Sequence, residues 1–443
     1  MKAFKAYDIR GIYPTDVNEE LAYNVGKALV TFLQAKTIVV GRDCRESSQP
    51  LHKAFIKGVT SLGCSVIDLG LISTPQLYFK LYTDSSMDGG VMITASHNPK
   101  EYNGMKICKK HAIPLFGEYG FQELQEIIEK EAYQSVADTP GTVQTEDIQE
   151  AYTTYFKEKV KGSSRPLKLL IDCGNGMGTK EVRALRKIYP QHHIETMYEE
   201  MDGSFPNHEA NPIVKEHMAE LMGRMKTEQF DYGIGFDGDA DRIAFFLDTG
   251  EMVSPDILTG VIGRNCAKAG EKVGFEVRTS QVVADILTQK RIIPLLYPSG
   301  RAFIMNRMRE DKAVFAGEKS GHYFYQELNY TDSALYTLIK VLELVEDRTL
   351  NALVEPLEDA FVRSGEMNYK VKDADASLKN IEEKFFKKAD KILKIDGVSV
   401  YTESYFFNVR KSNTEPLVRI NIEGTGPQVV EEIQHELEKL LVR

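Results

Sequence analysis

The sequence contains little cysteine and no long hydrophobic run. Its five cysteines are scattered over 443 residues, and no two of them form a Cys-x-x-Cys pair. This spacing argues against a disulfide framework and against a structural zinc site. No apolar stretch approaches the roughly 20 residues that a membrane-spanning helix needs, and the first residues lack the apolar core of a signal peptide. We therefore expect a cytoplasmic protein without a membrane partner.

Basic residues are too few for a nucleic-acid partner. Lysine and arginine number 55 against 65 aspartates and glutamates, which gives a net charge of -10 at pH 7. Nucleic-acid binding favours a basic surface, because the phosphate backbone must be neutralised. Any anionic small molecule would therefore have to meet a local cluster of positive side chains.

Short apolar runs alternate with amphipathic helical patterns, which predicts parallel sheets with crossover helices. Three stretches repeat this plan, with predicted strands at 37–40 and 90–93, 167–171 and 232–236, and 272–277 and 313–316. A charged helical segment at 343–358 closes the third stretch. The remaining sequence alternates like antiparallel strands and ends in an amphipathic helix. The predicted fold is α/β, with three similar mixed α/β-sheet domains at 1–147, 148–249 and 250–365 and a smaller C-terminal α+β domain at 366–443.

A serine directly follows one of these predicted strands. Residues 90–93 lead into Thr94-Ala95-Ser96-His97-Asn98-Pro99, and open α/β sheets carry their ligand sites at such carboxyl ends of strands. The alternative is an ordinary turn, in which the serine hydroxyl caps a backbone amide.

Three aspartates at alternate positions follow another predicted strand. A curled loop can turn Asp237, Asp239 and Asp241 toward one divalent cation, and oxygen ligands suit Mg²⁺. A calcium-binding EF-hand loop begins with the same spacing, but Arg242 stands where that loop needs glycine and Asp248 where it needs glutamate. The pattern predicts a magnesium site, with a solvated acidic turn as the alternative.

Two more polar segments complete a set of four. They are Gly317-Glu318-Lys319-Ser320-Gly321-His322 and Arg410-Lys411-Ser412-Asn413-Thr414-Glu415-Pro416. In their order and separations, the four segments resemble the active-site loops of the α-D-phosphohexomutase family, and most closely its phosphomannomutase/phosphoglucomutase branch. The resemblance covers essentially the whole chain. It implies four domains around a central cleft, and interconversion of hexose 6-phosphate and hexose 1-phosphate of mannose, glucose or both.

The resemblance also implies roles for individual residues. Ser96 would carry a phosphoryl group and hold Mg²⁺ together with the three aspartates, and a hexose 1,6-bisphosphate would be the intermediate and activator. The implied catalytic residues are Ser96, His97, Lys106, Arg10 and His322. Among them His322 ranks first for proton transfer, whereas His97 could instead orient Ser96 or contact phosphate. The implied substrate-binding residues are Tyr7, Arg242, Glu318, Ser320, Arg278, Arg301, Arg410, Ser412, Asn413 and Thr414.

Sugar preference stays open at this point. Glu318 would accept hydrogen bonds from the 3- and 4-hydroxyls that glucose and mannose share, which favours dual specificity. Arg278 and Arg301 stand where phosphomannomutase-type enzymes often have lysine and histidine, and arginine brings a planar fork in place of either group. The reaction type does not depend on these two positions.

Other functions remain as alternatives. A phosphoglucosamine mutase is one, although such enzymes usually carry Gly-Thr-Glu-Pro where this chain has Asn413-Thr414-Glu415-Pro416. A metal-dependent sugar phosphatase would use the same acidic loop but release phosphate to water, and a catalytically silent sensor would only bind. The expected partner is a phosphorylated hexose, and the expected state is a monomer or weak homodimer.

Two further segments invite other interpretations. Gly174-Asn175-Gly176-Met177-Gly178 resembles a dinucleotide-binding loop, but its third glycine comes one residue early and no acidic partner follows the next strand. We predict a tight strand-to-helix turn there. In the polar stretch at 41–48, Arg42 is either an active-site or a structural residue.

Overall fold

The structure, a computed structural model, describes residues 1–160, 165–411 and 417–442. These residues form two compact units. The first unit contains residues 1–253, 308–310 and 320–347, and the second contains residues 254–307, 311–319 and those from 348 onward. Across the described ranges, no helix combines the length and the apolar character that crossing a membrane requires.

Residues 1–160, all of them described, build a seven-stranded mixed sheet and five α-helices. These elements are β1 (Ile9–Ile12), α1 (Glu19–Leu33), β2 (Thr37–Arg42), α2 (Ser48–Ser61), β3 (Ser65–Leu71), α3 (Thr74–Thr83), β4 (Gly89–Ile93), β5 (Tyr102–Lys109), β6 (Ile113–Pro114), α4 (Phe121–Glu129), β7 (Val143–Thr145) and α5 (Gln149–Lys159). The strand order is β1-β5-β4-β2-β3-β7, with β6 beside β5. Strand β4 pairs in parallel with β2 and antiparallel with β5. All five of its residues are buried, so its carboxyl end opens the serine loop from inside the sheet.

The described residues of 165–253 build a four-stranded sheet. Its elements are β8 (Lys168–Asp172), α6 (Gly178–Ile188), β9 (His193–Met197), α7 (Ala219–Thr227), β10 (Tyr232–Phe236) and β11 (Ile243–Phe246). The strand order is β11-β10-β8-β9, and only the β10–β11 pair of this sheet is antiparallel. Gly174 and Asn175 both have left-handed backbone, with φ of 55° and 53°. The predicted tight turn between β8 and α6 is therefore confirmed.

The third stretch contains strands and helices in close alternation. They are α8 (Pro255–Cys266), β12 (Lys272–Glu276), α9 (Gln281–Gln289), β13 (Ile293–Tyr297), α10 (Arg301–Asp311), β14 (Phe315–Gly317), β15 (Tyr323–Tyr325), β16 (Thr331–Asp332), α11 (Ala334–Leu344) and α12 (Leu350–Glu358). Strand β12 pairs in parallel with β13 and β14, and β15 with β16 forms an antiparallel pair. The prediction of one helical segment over 343–358 is wrong. Helix α11 ends at Leu344, and Thr349 caps the start of α12 by accepting a hydrogen bond from the Ala352 backbone N–H.

The last stretch is an antiparallel sheet covered by helices. Its elements are β17 (Val362–Lys370), α13 (Ala374–Phe385), β18 (Lys391–Leu393), β19 (Val398–Tyr401), β20 (Tyr405–Lys411), β21 (Leu417–Gly424) and α14 (Pro427–Glu438). The order is β17-β21-β20-β19-β18. One sheet face packs its apolar side chains, such as Val409 and Ile420, against Phe385 of α13 and Leu437 of α14. This arrangement confirms the predicted α+β character.

Polar residues determine where the helices near the serine loop begin. The Asn18 side chain accepts a hydrogen bond from the Leu21 backbone N–H, and two glutamates occupy the first turn of α1. Helix α3 begins with a capping box between Ser73 and Gln76. The box fixes the first residue of α3, Thr74, whose hydroxyl and backbone N–H both contact Asp239.

Helices α1 and α2 pack closely at two glycines, which gives a test of the fold. A Cβ at position 58 would lie 2.1 Å from the Tyr23 carbonyl oxygen, and one at position 26 would lie 2.6 Å from the Phe55 carbonyl oxygen. Gly58→Ala should therefore force the helices apart and lower the free energy of unfolding of the first unit by about 1–3 kcal/mol. Urea denaturation measures this change.

The matched control is Gly223→Ala in α7. Apart from its chain neighbours and the backbone of α7 itself, no described atom lies within 4 Å of a Cβ built there. The higher helix propensity of alanine should therefore raise the free energy of unfolding by up to about 1 kcal/mol. Equal stability of Gly58→Ala and the native protein would contradict the close helix contact.

Candidate functional site

The predicted nucleophile lies beside the first residue of the aspartate loop. Ser96 is 1% exposed, and its hydroxyl donates to Asp237 Oδ2 at 2.7 Å. Its φ of 52° is in the left-handed region, and its backbone N–H donates to Thr94 Oγ1 at 2.8 Å. Because the turn is fixed by these contacts, the hydroxyl is held toward the carboxylates.

Gly238 allows the aspartate loop to pack directly on the serine loop. A Cβ at position 238 would lie 2.4 Å from the Ser96 carbonyl oxygen, so a side chain there would push the two loops apart. The two loops therefore bring the ends of β4 and β10 together within the first unit.

The three predicted metal ligands converge. Asp237, Asp239 and Asp241 are fully buried, and each offers an oxygen within 4.8 Å of the others. Within the described ranges, the buried Asp239 Oδ1 has no hydrogen-bond partner. Asp237 Oδ1 accepts the backbone N–H groups of Asp241 and Arg242, each at 3.1 Å. Clustered carboxylates with an unsatisfied oxygen fit a hard divalent cation, so this donor set could hold Mg²⁺.

Burial and mutual repulsion act on these carboxyl groups. Burial and the charges of Asp239 and Asp241 raise the pKa of Asp237. Burial also opposes ionisation of Asp239, but the nearby Lys106 outweighs it and lowers the pKa of that carboxyl. The ammonium of Lys106 donates to Asp239 Oδ2 at 2.5 Å and also to Asp241. Strand β5 positions this lysine, which lies opposite Met92 of β4.

Arg10 contacts the serine loop from β1. One guanidinium nitrogen donates to the Ala95 carbonyl at 3.2 Å and to Asn98 Oδ1 at 2.7 Å, and another donates to Asp8 at 2.6 Å. Tyr7 lies close enough to interact electrostatically with this guanidinium. Arg10 thus joins the predicted site and fixes the loop on both sides of Ser96.

Arg45 anchors the same loop and was not predicted from the sequence. Its side chain is buried and donates to the carbonyl oxygens of Ser96, Asn98, Pro99 and Tyr102 at 2.6–3.1 Å. Its position in the sequence could have indicated this role. Arg45 follows the buried strand β2, and residues after such strands lie at the edge of the sheet where ligand sites form.

Arg42 and Arg45 differ in their contacts. In the part of the chain that the structure describes, its guanidinium makes one hydrogen bond, to the Asp43 carbonyl at 3.3 Å. The Arg45 guanidinium instead pairs with the buried Asp43 carboxylate at 3.2 Å. Arg45, and not Arg42, is therefore the arginine that supports the serine loop.

His322 adds an imidazole on the other side of the aspartates. Its Nε2 lies 3.2 Å from Asp241 Oδ1 and 3.3 Å from Arg242 Nε, and its Nδ1 lies 2.8 Å from Ser320 Oγ. The ring is buried. The structure thus brings the predicted residues Arg242, Ser320 and His322 to the carboxylate cluster.

His97 lies next to the serine hydroxyl, with Nδ1 at 3.4 Å from Ser96 Oγ. Burial, together with the positive charges of Arg242 and Arg10, holds the pKa of His97 well below its usual range. These surroundings therefore oppose protonation of the His97 imidazole.

The other predicted substrate-binding residues belong to the second unit. Glu318 Oε1 accepts the Gly300 backbone N–H at 2.9 Å. Arg278 makes a two-pronged contact with Glu276, at 2.7 and 2.6 Å, and Arg301 is buried at the start of α10. Arg410 donates to Glu366 at 2.8 Å. The predicted Ser412, Asn413 and Thr414 lie outside the described residues.

Comparison with known families matches this four-part organisation. Models of the phosphoglucomutase/phosphomannomutase α/β/α domains I, II and III match residues 1–135, 150–250 and 254–361, and the model of the C-terminal domain matches residues 366–440. The chain therefore belongs to the phosphoglucomutase/phosphomannomutase family.

Individual relatives cover nearly the whole chain. A protein of Xanthomonas campestris named "Phosphohexose mutases" is 35% identical over 100% of this chain and 99% of its own length. A phosphomannomutase of Escherichia coli K12 is 34% identical, covering 96% and 95%. A crystal structure of a phosphoglucomutase/phosphomannomutase family protein from Burkholderia thailandensis has a TM-score of 0.90 at 28% identity, covering 99% and 96%. The protein is a phosphohexomutase, an isomerase that transfers phosphate within its substrate.

These matches confirm the family, the fold class and the enzyme class expected from the sequence. The domain boundaries and the roles of individual residues stay predictions.

The anchoring role of Arg45 can be tested by substitution. Arg45→Met leaves the Asp43 carboxylate buried without its charge partner, and it leaves three loop carbonyls and the Tyr102 carbonyl without this donor. The free energy of unfolding of the first unit should fall by about 3–5 kcal/mol, and turnover should fall because Ser96 loses its support. Urea denaturation and steady-state kinetics give the two values.

Arg42→Met is the matched control, since it removes the same charge three residues away. It should change the free energy of unfolding by at most about 1 kcal/mol. Equal losses in the two variants would rule out a special role for Arg45.

Proposed function

We propose that this phosphohexomutase interconverts hexose 6-phosphate and hexose 1-phosphate, of mannose, glucose or both, through a phosphoserine at position 96 and a hexose 1,6-bisphosphate. The observation that carries this proposal is the contact between the Ser96 hydroxyl and Asp237, in a cluster of three buried aspartates. A hydroxyl that only capped a turn would not need this carboxylate cluster. We further propose a cytoplasmic enzyme that acts as a monomer or weak homodimer.

The proposed transfer proceeds in two halves. The free hydroxyl of the bound hexose phosphate attacks the phosphorus on Ser96. As the new O–P bond forms, the bond from phosphorus to Ser96 Oγ breaks, and the hydroxyl proton passes to a base. The bisphosphate then reorients and returns its other phosphoryl group to Ser96 by the reverse steps, so the hexose leaves with its phosphate moved.

The aspartate loop would hold the metal that such a transfer needs. Asp237, Asp239, Asp241 and Ser96 are the proposed Mg²⁺ ligands, supported by their mutual approach and by the unsatisfied Asp239 Oδ1. When bound, the ion supplies neutralisation of charge on the transferring phosphoryl group. Around it, Arg10 and Lys106 supply fixed positive charge close to the serine.

Two imidazoles lie beside the cluster. His322 is buried and His97 is half-buried, and we propose His322 for proton transfer from the sugar hydroxyl. The Lys106 ammonium donates to two carboxylates, and we propose that it holds phosphate or donates a proton.

Substrate recognition is proposed for the second unit. Glu318 would accept two sugar hydroxyls, and Arg410 would bind the phosphate that is not being transferred. Since glucose and mannose share the 3- and 4-hydroxyls, we propose that both are substrates. Turnover with mannose 1-phosphate, glucose 1-phosphate and glucosamine 1-phosphate tests this preference, and fastest turnover of the amino sugar would favour a phosphoglucosamine mutase instead.

Removal of the carrier hydroxyl tests the phosphoserine. Ser96→Ala should lose nearly all turnover and keep its melting temperature, because the change removes one oxygen and no apolar volume. Intact-protein mass spectrometry should find the mass of one added phosphoryl group on the native protein after incubation with hexose 1,6-bisphosphate, but not on the variant. Full turnover of Ser96→Ala would refute the mechanism.

Removal of one carboxylate charge tests the metal. Asp239→Asn should weaken Mg²⁺ binding by at least about tenfold and lower turnover by orders of magnitude, because a buried anionic ligand becomes neutral. Calorimetric titration with Mg²⁺ measures the affinity. The control Asp248→Asn makes the same charge change at an exposed residue of the β11 end and should leave binding unchanged. Undiminished turnover after complete removal of metal by EDTA would contradict the assignment.

A further inference from the structure

Glu366, in β17, receives hydrogen bonds from three arginines. Its carboxylate accepts from Arg410 at 2.8 Å, from Arg278 at 3.3 Å and from Arg419 at 3.3 Å. All four residues belong to the second unit. Neither the sequence motifs nor the proposed mechanism gives Glu366 a role. Its carboxylate nevertheless binds Arg410, the residue that we propose binds the phosphate.

The register of the last sheet explains why an anion is needed there. Arg410 of β20 lies directly opposite Arg419 of β21, and like charges in such a pair repel. Glu366 lies opposite Asn421, two residues further along β21, so it shares a sheet face with both arginines and can bridge them. The other face of the sheet carries the apolar core.

One carboxylate does not satisfy this group of arginines. Arg278 is already paired with Glu276 through two hydrogen bonds, which leaves Arg410 and Arg419 to share the single charge of Glu366. Among the residues that the structure describes, the buried Nε atoms of Arg410 and Arg419 have no hydrogen-bond partner. Two positive charges with unused donors fit a dianion, such as a phosphate monoester, better than one carboxylate.

Glu366 stays charged in this environment. Burial alone would raise its pKa, but Arg278, Arg410 and Arg419 lower the pKa of the carboxyl to about 2. Proton uptake therefore does not release it from the arginines near neutral pH, and only another anion can replace it.

We propose that Glu366 is a resident counter-anion that competes with the substrate's non-transferring phosphate for Arg410. The inference rests on the proposed function, in which Arg410 binds that phosphate. Binding of the phosphate displaces the carboxylate from Arg410, and departure of the phosphate restores the contact. During one turnover the proposed bisphosphate must reorient, so that its bound phosphate leaves Arg410 and Arg419. The Glu366 carboxylate then pairs with these arginines and stabilises them until a phosphate binds again.

Competition predicts the opposite effect from simple support. Glucose 1-phosphate is titrated calorimetrically into Ser96→Ala protein, which cannot turn the sugar over, with and without Glu366→Gln. Removing the competing charge should lower the Kd about 3- to 10-fold, because the free arginines no longer exchange one anion for another. A Kd that is unchanged or higher overturns the proposal, since a residue that only positions Arg410 would weaken binding when altered.

Two further variants show whether a change in Kd comes from loss of charge in general or from altered folding. Glu403→Gln makes the same charge change at an exposed residue before β20, at the end of that strand away from Arg410, and should change the Kd by less than about twofold. Glu366→Ala is titrated as a second variant, and the Kd values are compared for whichever variant keeps the native melting temperature.

Arg410→Ala distinguishes failure of this inference from failure of the proposed function. On the same Ser96→Ala background it should raise the Kd at least about tenfold. An unchanged Kd would remove Arg410 from the phosphate site and with it the proposed role of the C-terminal domain. A raised Kd with no tightening by Glu366→Gln would overturn the role of Glu366 alone.

Discussion

Repulsion among three buried carboxylates is the constraint on which the first unit depends. Asp237, Asp239 and Asp241 have oxygens within 4.8 Å of one another, and such a group is stable only when positive charge and hydrogen-bond donors surround it. The donors come from separate elements: the Lys106 ammonium from β5, the Thr74 hydroxyl from α3 and backbone amides from the loop itself. The aspartate loop of the second sheet is therefore bound to the first sheet and to α3 through these buried charged contacts.

The serine loop packs on the aspartate loop, and arginine side chains hold it by hydrogen bonds to its backbone carbonyl oxygens. Arg45 binds three of its carbonyl oxygens and that of Tyr102 in β5, while Arg10 binds a fourth loop carbonyl, that of Ala95. Because the carbonyls point to the arginines, the Ser96 hydroxyl is left to face Asp237. Ser96 thus lies on a loop that is held rigid by the buried arginine side chains beneath it.

The sequence predicted the parts of this arrangement that depend on local pattern. Strand ends followed by polar loops located Ser96 and the aspartates, since the carboxyl ends of buried strands are where such loops lie. Arg45 was missed because its acceptors are backbone carbonyls, which have no residue type to recognise. Glu366 was missed because its three arginines come from separate strands and loops. The break before α12 depends on one cap, at Thr349, within a continuous charged pattern.

Each unit contains a cluster of like-charged side chains that is paired with a side chain of opposite charge. Lys106 lies on the aspartates in the first unit, and Glu366 lies on the arginines in the second. Under the proposed function, binding of the phosphate is an exchange of one anion for another rather than an addition to an empty site. Exchange lowers the apparent affinity, because part of each interaction is already made. The same contacts keep the sites ordered between turnovers, so the loss in affinity is matched by a smaller cost of reorganisation when the ligand arrives.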